Sequence, residues 1–159
     1  MKLEEGDGSE QRADDPVPLG ADVLCNSLPK AASSWSQIQS ISPSALAYLG
    51  DAVYELYVRS CYVLPPKRSQ LYHQQVVAQV RAEAQARHLR SLQPYLTSSE
   101  LDILKRGRNA ASGGPKRIEL EVYQQATSLE TLIGYLYLSD PPRLAQLLTH
   151  LQLDVPTSE

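Results

Sequence analysis

ALAYLGDAVYELYV, residues 45–58, decides how this chain is read. Of its fourteen residues only Asp51 and Glu55 carry charge, and their four-residue spacing puts both on one helical face. A carboxylate in so apolar a stretch costs several kcal/mol unless it is paired, hydrogen-bonded or bound to a cation. The same cost recurs at Glu130, inside LETLIGYLYL, residues 129–138. Two apolar helices that each carry an acid suggest a cation site shared between them.

Working outward, Ser42-Pro43 is a helix start, with Ser as the cap and Pro in the first turn. That helix is expected to run to about residue 63 and to stop at Pro65-Pro66. A second, Ala-, Gln- and Arg-rich helix is expected over residues 69–92, ending before Pro94. Thr97-Ser98-Ser99-Glu100 has capping-box spacing and opens a short helix through about Arg106. Gly107 and Gly113-Gly114-Pro115 then read as breaks in a basic loop. Helical pattern resumes near Ile118 and continues through Leu138, and Asp140-Pro141-Pro142 opens a last helix, residues 141–151. Alternating β-branched runs and hairpin dipeptides are missing, so the expected fold class is all-α, in one domain over residues 31–155.

The net charge of −3 conceals an uneven distribution. Residues 1–30 hold seven acids against three bases, lack a helical period, and read as a disordered acidic tail. The remaining 129 residues hold eleven acids and twelve bases. Lys105, Arg106, Arg108, Lys116 and Arg117 fall within thirteen residues that contain no acid, a pattern that points toward nucleic acid. No run of eighteen apolar residues offers a membrane span. The acidic start lacks the apolar core of a secretory leader, and Cys25 and Cys61 lack metal-ligand spacing, so a cytoplasmic protein with reduced thiols is expected.

Three groups of residues can carry chemistry. Asp51 with Glu130 suits Mg²⁺, which binds through one or two carboxylates plus waters and substrate phosphates. The alternative is a pair of acids solvated at helix ends or paired with Arg. The segment LKRGRNAASGGPKR, residues 104–117, offers glycines that let backbone approach a phosphate and cations that balance it. Within it, Asn109 either positions a water or ligand or caps the preceding helix, and the whole segment is otherwise a solvated loop. Lys67, Arg68, His73, Arg81 and Arg87 form either a phosphate-tracking face or the wet side of an amphipathic helix. His73 and His88 stand at no recognisable spacing from a Ser or Cys nucleophile, so a covalent hydrolase is not expected.

Together these segments resemble one family. Residues 46–59, LAYLGDAVYELYVR, resemble the signature helix of ribonuclease III domains, with Leu49-Gly50-Asp51-Ala52-Val53 at its centre. TSLETLIGYLYL, residues 127–138, resembles the second catalytic helix of that domain. LKRGRNAASG, residues 104–113, is similar to a segment of a compact branch, the Mini-ribonuclease III proteins. Order and spacing fit from roughly residue 36 to 151.

The resemblance implies a symmetric homodimer and a Mg²⁺-dependent endoribonuclease acting on double-stranded RNA. It further implies maturation of precursor 23S ribosomal RNA. A ribosomal protein that presents the RNA is a further candidate partner. Asp51 and Glu130 match the catalytic, metal-holding acids. Ala47 and Thr127 stand where full-length ribonuclease III has two further acids, and Ala111 where relatives often carry lysine. Tyr48 matches an aromatic position that packs across the dimer axis, the alternative being a core tyrosine. Glu55 is either a second partner of the metal or, as its spacing favours, paired with Arg59.

Only eight residues follow Leu151, so RNA contact is expected to fall on the catalytic domain itself. Lys105, Arg106, Arg108, Asn109, Lys116, Arg117, Lys67, Arg68 and His73 are the residues expected to make it. Affinity should then be weak and strongly salt-dependent. Two rival readings are a non-catalytic RNA-binding or ribosome-assembly factor on the same fold, and a helical protein-interaction module.

Overall fold

A computed structural model describes residues 34–154, so the expected acidic tail lies outside the described residues. Those described residues contain helices and no strand. In chain order they are α1 (Trp35–Ser40), α2 (Pro43–Tyr62), α3 (Ser69–Val80), α4 (Ala82–Leu92), a 3₁₀ turn (Gln93–Tyr95), α5 (Ser98–Ala110), α6 (Leu120–Ser139) and α7 (Pro141–Leu148). None is long and apolar enough to cross a membrane.

Local chemistry explains most boundaries. Ser42 Oγ accepts the Ala45 amide at the start of α2, where Pro43 presets the first turn. Thr97 and Glu100 cap α5 reciprocally, the Glu100 amide donating to Thr97 Oγ1 and the Thr97 amide to Glu100 Oε2. Arg143 of α7 grips the same Glu100 through Nε at 2.7 Å and Nη2 at 3.0 Å, which ties α7 to the head of α5. Helix α1, capped by Ser34 and Gln37, was not anticipated from the sequence.

The centre of the molecule is α6, which buries residues on nearly every side and packs on α2, α5, α4 and α7. Its Leu129, Leu132, Ile133 and Leu136 meet Leu46, Val53, Tyr54 and Val58 of α2. Where α2 and α6 cross, glycine faces backbone. A Cβ on Gly50 would lie 1.7 Å from the Glu130 carbonyl oxygen, and one on Gly134 would lie 2.0 Å from that of Leu46. Only hydrogen fits at either position, so the two glycines set the crossing and bring the neighbouring acids to one place. Buried His88 bonds the Tyr54 hydroxyl, and burial, then the Arg87 charge, push its pKa down, which makes it a neutral core residue.

Three expectations are corrected. Residues 69–92 form two helices, because Arg81 adopts extended φ −65°, ψ 154° between them. Its carbonyl then accepts the amides of Ala84 and Gln85 as the cap of α4. The helix expected to end near Arg106 continues to Ala110, so the first half of the basic segment is helical. Gly107 is a packing residue there, since a Cβ would meet Thr131 Oγ1 of α6 at 2.6 Å. The last helix ends at Leu148, three residues early, where Thr149 closes onto Ala145 and His150 onto Leu147.

Candidate active site

Asp51 follows Gly50 on α2, and Glu130 carries the carbonyl that Gly50 touches on α6. Both acids line one open cleft of about 480 Å³. Its walls include the α3–α4 break at Val80 and Ala82, and the segment after α5 at Ser112, Gly113 and Pro115. Ala47 and Thr127, at the places of two further acids in the resemblance, line the same cleft, as does buried Ala111. The cleft therefore keeps the positions of those acids without their charge.

The two acids sit in different surroundings. Burial raises the Asp51 pKa above its ordinary value, and the nearby Glu55 carboxylate adds to the effect. Glu130 is buried more deeply, and its pKa is pushed up from 4.5 to about 7. Burial is the main cause. A hydrogen bond from Gln85 opposes it, while the Asp51 charge reinforces it. Burial thus favours the protonated form of both acids, and most strongly that of Glu130. Glu55 itself is occupied by Arg59, whose Nε donates to it at 2.9 Å, as the one-turn spacing predicts.

Gln85 of α4 was not singled out from the sequence, yet it reaches this site. It is 2% exposed, and its Nε2 donates to Glu130 Oε1 at 3.0 Å and to the Val80 carbonyl at 2.9 Å. Its own Oε1 has no hydrogen-bond partner among the described residues. A buried acceptor left so costs about 1–3 kcal/mol.

The expected RNA-contact residues lie outside the cleft lining. Lys105 and Arg108 of α5 flank a separate groove with Arg90, while Arg106 and Asn109 are exposed. Lys116 and Arg117 are exposed between Pro115 and Ile118, both cleft residues. Lys67 is engaged locally, donating to Gln75 and lying over the Tyr62 and Tyr72 rings. Arg68 is exposed, and His73 borders a cleft with Arg59 and Tyr72. Tyr48 is 86% exposed, which excludes the core-tyrosine alternative.

Among the described residues no three or more His, Cys, Asp or Glu side chains converge as a metal-holding group. The donors present are nonetheless of the right kind: two carboxylates from opposed helices, in an open cleft. Such oxygen donors suit a hard divalent cation that keeps waters and takes phosphate oxygens, and they do not suit a softer metal.

Comparison with known proteins agrees with this geometry. Residues 44–141 match the Ribonuclease III domain family. The Mini-ribonuclease 3 of a Synechocystis species is 57% identical over 116 residues, which cover 73% of this chain and 81% of that protein. The Mini-ribonuclease 3 of a Synechococcus species is 58% identical over 113 residues, 71% of this chain and 82% of that protein. A crystal structure of a Fusobacterium nucleatum protein superposes with a TM-score of 0.66 at 28% identity, covering 74% of this chain and 96% of that one. The chain belongs to the ribonuclease III family, in its Mini-ribonuclease 3 branch, and is an endoribonuclease of that type.

Proposed function

We propose that this endoribonuclease is a cytoplasmic, Mg²⁺-dependent homodimer that cleaves double-stranded RNA and matures precursor 23S ribosomal RNA. The observation that carries the reading is the glycine-set crossing of α2 and α6, which turns Asp51 and Glu130 into one cleft. These two carboxylates would hold the cation, with water and RNA phosphate oxygens as the remaining ligands. Bound there, a divalent ion supplies Lewis-acid activation of water and neutralises charge that builds on the phosphate.

The chain's own residues do the rest. Gly50 and Gly134 fix the distance between the acid-bearing helices, and Gln85 holds one oxygen of Glu130. Exposed Lys116 and Arg117 stand beside cleft residues Pro115 and Ile118, where they can meet the phosphate backbone. Lys105, Arg106, Arg108 and Asn109 of α5, with Lys67, Arg68 and His73, would extend that contact along the duplex. A-form RNA is recognised through phosphates and 2′-hydroxyls over its shallow groove, a task suited to exposed cations.

The test is Asp51→Asn, incubated with structured precursor ribosomal RNA with and without Mg²⁺. Cleavage is expected to disappear while the helical fold and metal-free RNA binding persist. Cleavage at the wild-type rate would overturn the assignment of the site.

A further inference from the structure

Among the described residues, Glu130 and Glu100 are the two glutamates held by side-chain hydrogen bonds from another helix, and they are held in opposite ways. Arg143 forms an ion pair with Glu100 at 2.7 Å, and its hydrogen bond is the main reason that the Glu100 pKa falls. Glu130 instead receives an uncharged amide, Gln85 Nε2, at 3.0 Å. A guanidinium at that place would neutralise Glu130 and compete with a cation in the cleft. An amide orients one carboxylate oxygen and leaves the negative charge available.

Gln85 is itself held by the backbone. Its second amide hydrogen goes to the Val80 carbonyl, at the break where Arg81 turns extended between α3 and α4. Both donors are therefore committed, one to the chain and one to Glu130, while Gln85 Oε1 finds no partner among the described residues. A core residue present only to fill space would be Leu or Met, with no buried acceptor left over. The orphaned oxygen marks Gln85 as a residue kept for its donor.

We infer that Gln85 is a positioning residue of the active site, orienting the Glu130 carboxylate toward a divalent cation without neutralising it. This rests on the reading of Asp51 and Glu130 as the cation-holding pair. Hydrogen bonds to ligating carboxylates commonly set metal affinity or activity by about 10–100-fold.

The test uses the full chain with Mn²⁺ as probe, binding being followed by paramagnetic resonance and turnover on duplex RNA by steady-state kinetics. Gln85→Met keeps length and packing but removes the donor. It is expected to weaken Mn²⁺ binding and lower kcat by about tenfold or more, with KM for RNA unchanged. Wild-type Mn²⁺ affinity and kcat in that variant would overturn the inference. Asp51→Asn separates the two levels: if it binds Mn²⁺ as wild type does, the site reading itself fails. A second measurement needs no variant in the assay. The Gln85 side-chain amide resonance of the wild-type protein, assigned by nitrogen-15 NMR, is expected to shift as Mg²⁺ is titrated. A resonance that stays still at saturating Mg²⁺ would also overturn the inference, whether or not Gln85→Met folds.

Discussion

Glu130 holds its proton to about pH 7, whereas an exposed glutamate releases it near 4.5. Between those values the unfolded chain ionises at this position and the metal-free folded chain does not. The stability associated with the raised pKa is complete below 4.5, falls as pH climbs through the window, and is lost above 7. At 1.36 kcal/mol per pKa unit, the full loss is about 3 kcal/mol. Glu130→Gln has no proton to lose and keeps an oxygen for Gln85, so without divalent ions above pH 7 it should unfold at a higher Tm than wild type. The two proteins should converge below pH 4.5, and a constant gap across the range would contradict the raised pKa. Mg²⁺ should then stabilise the wild type and leave the Gln variant nearly unmoved. Asp51 and Glu130 were legible in the sequence because a charge inside an apolar helix stands out against its neighbours. Gln85 was not, since a glutamine in an Ala-, Gln- and Arg-rich helix looks like part of the wet face until α6 is seen to cover it.

At the scale of helices, polar capping groups carried most of the legible information. Ser42, the Thr97–Glu100 pair and Asp140 each stand where a helix begins, because an open first turn needs a side-chain acceptor. The break at Arg81 carries no Gly or Pro, and the amides and side chain that stabilise it come from α4, so no local pattern announces it. Gly107 misled for the opposite reason: glycine is read as a breaker, yet here it lets α5 lie against Ser128 and Thr131 of α6. These two readings make opposite predictions for Gly107→Ala. In a frayed or solvated segment, alanine would stabilise the helix by about 1 kcal/mol. In this contact the added methyl meets Thr131 Oγ1, already bonded to the Thr127 carbonyl at 2.7 Å, so the helices must separate. Overpacking of that kind costs about 1–3 kcal/mol, and chemical denaturation of the variant should show a lower midpoint. A raised midpoint would restore the breaker reading.

For the whole molecule, the question is what covers α2 on its outer side. Tyr48 is 86% exposed, Leu56 follows it along the same helix and Val63 just past its end, with Leu71 and Val77 of α3 also exposed. Tyr48 and Asp51 lie less than one turn apart, so a second copy seated on this face would stand directly beside the cleft. The resemblance carried this residue to the dimer axis, and composition alone could not separate an interface tyrosine from a core one. In the proposed homodimer, each of two related clefts would cut one strand of the duplex. Tyr48→Asp probes the arrangement without disturbing the fold, because so exposed a side chain contributes little to the core of its own chain. Like charges brought together across a two-fold axis repel, and the aromatic contact area is lost with them. The variant should sediment as a monomer, keep a Tm within a few degrees of wild type, and lose double-strand cleavage. A variant that still sediments as a dimer would move the interface elsewhere. A monomer that cuts both strands at the wild-type rate would remove the need for a paired site.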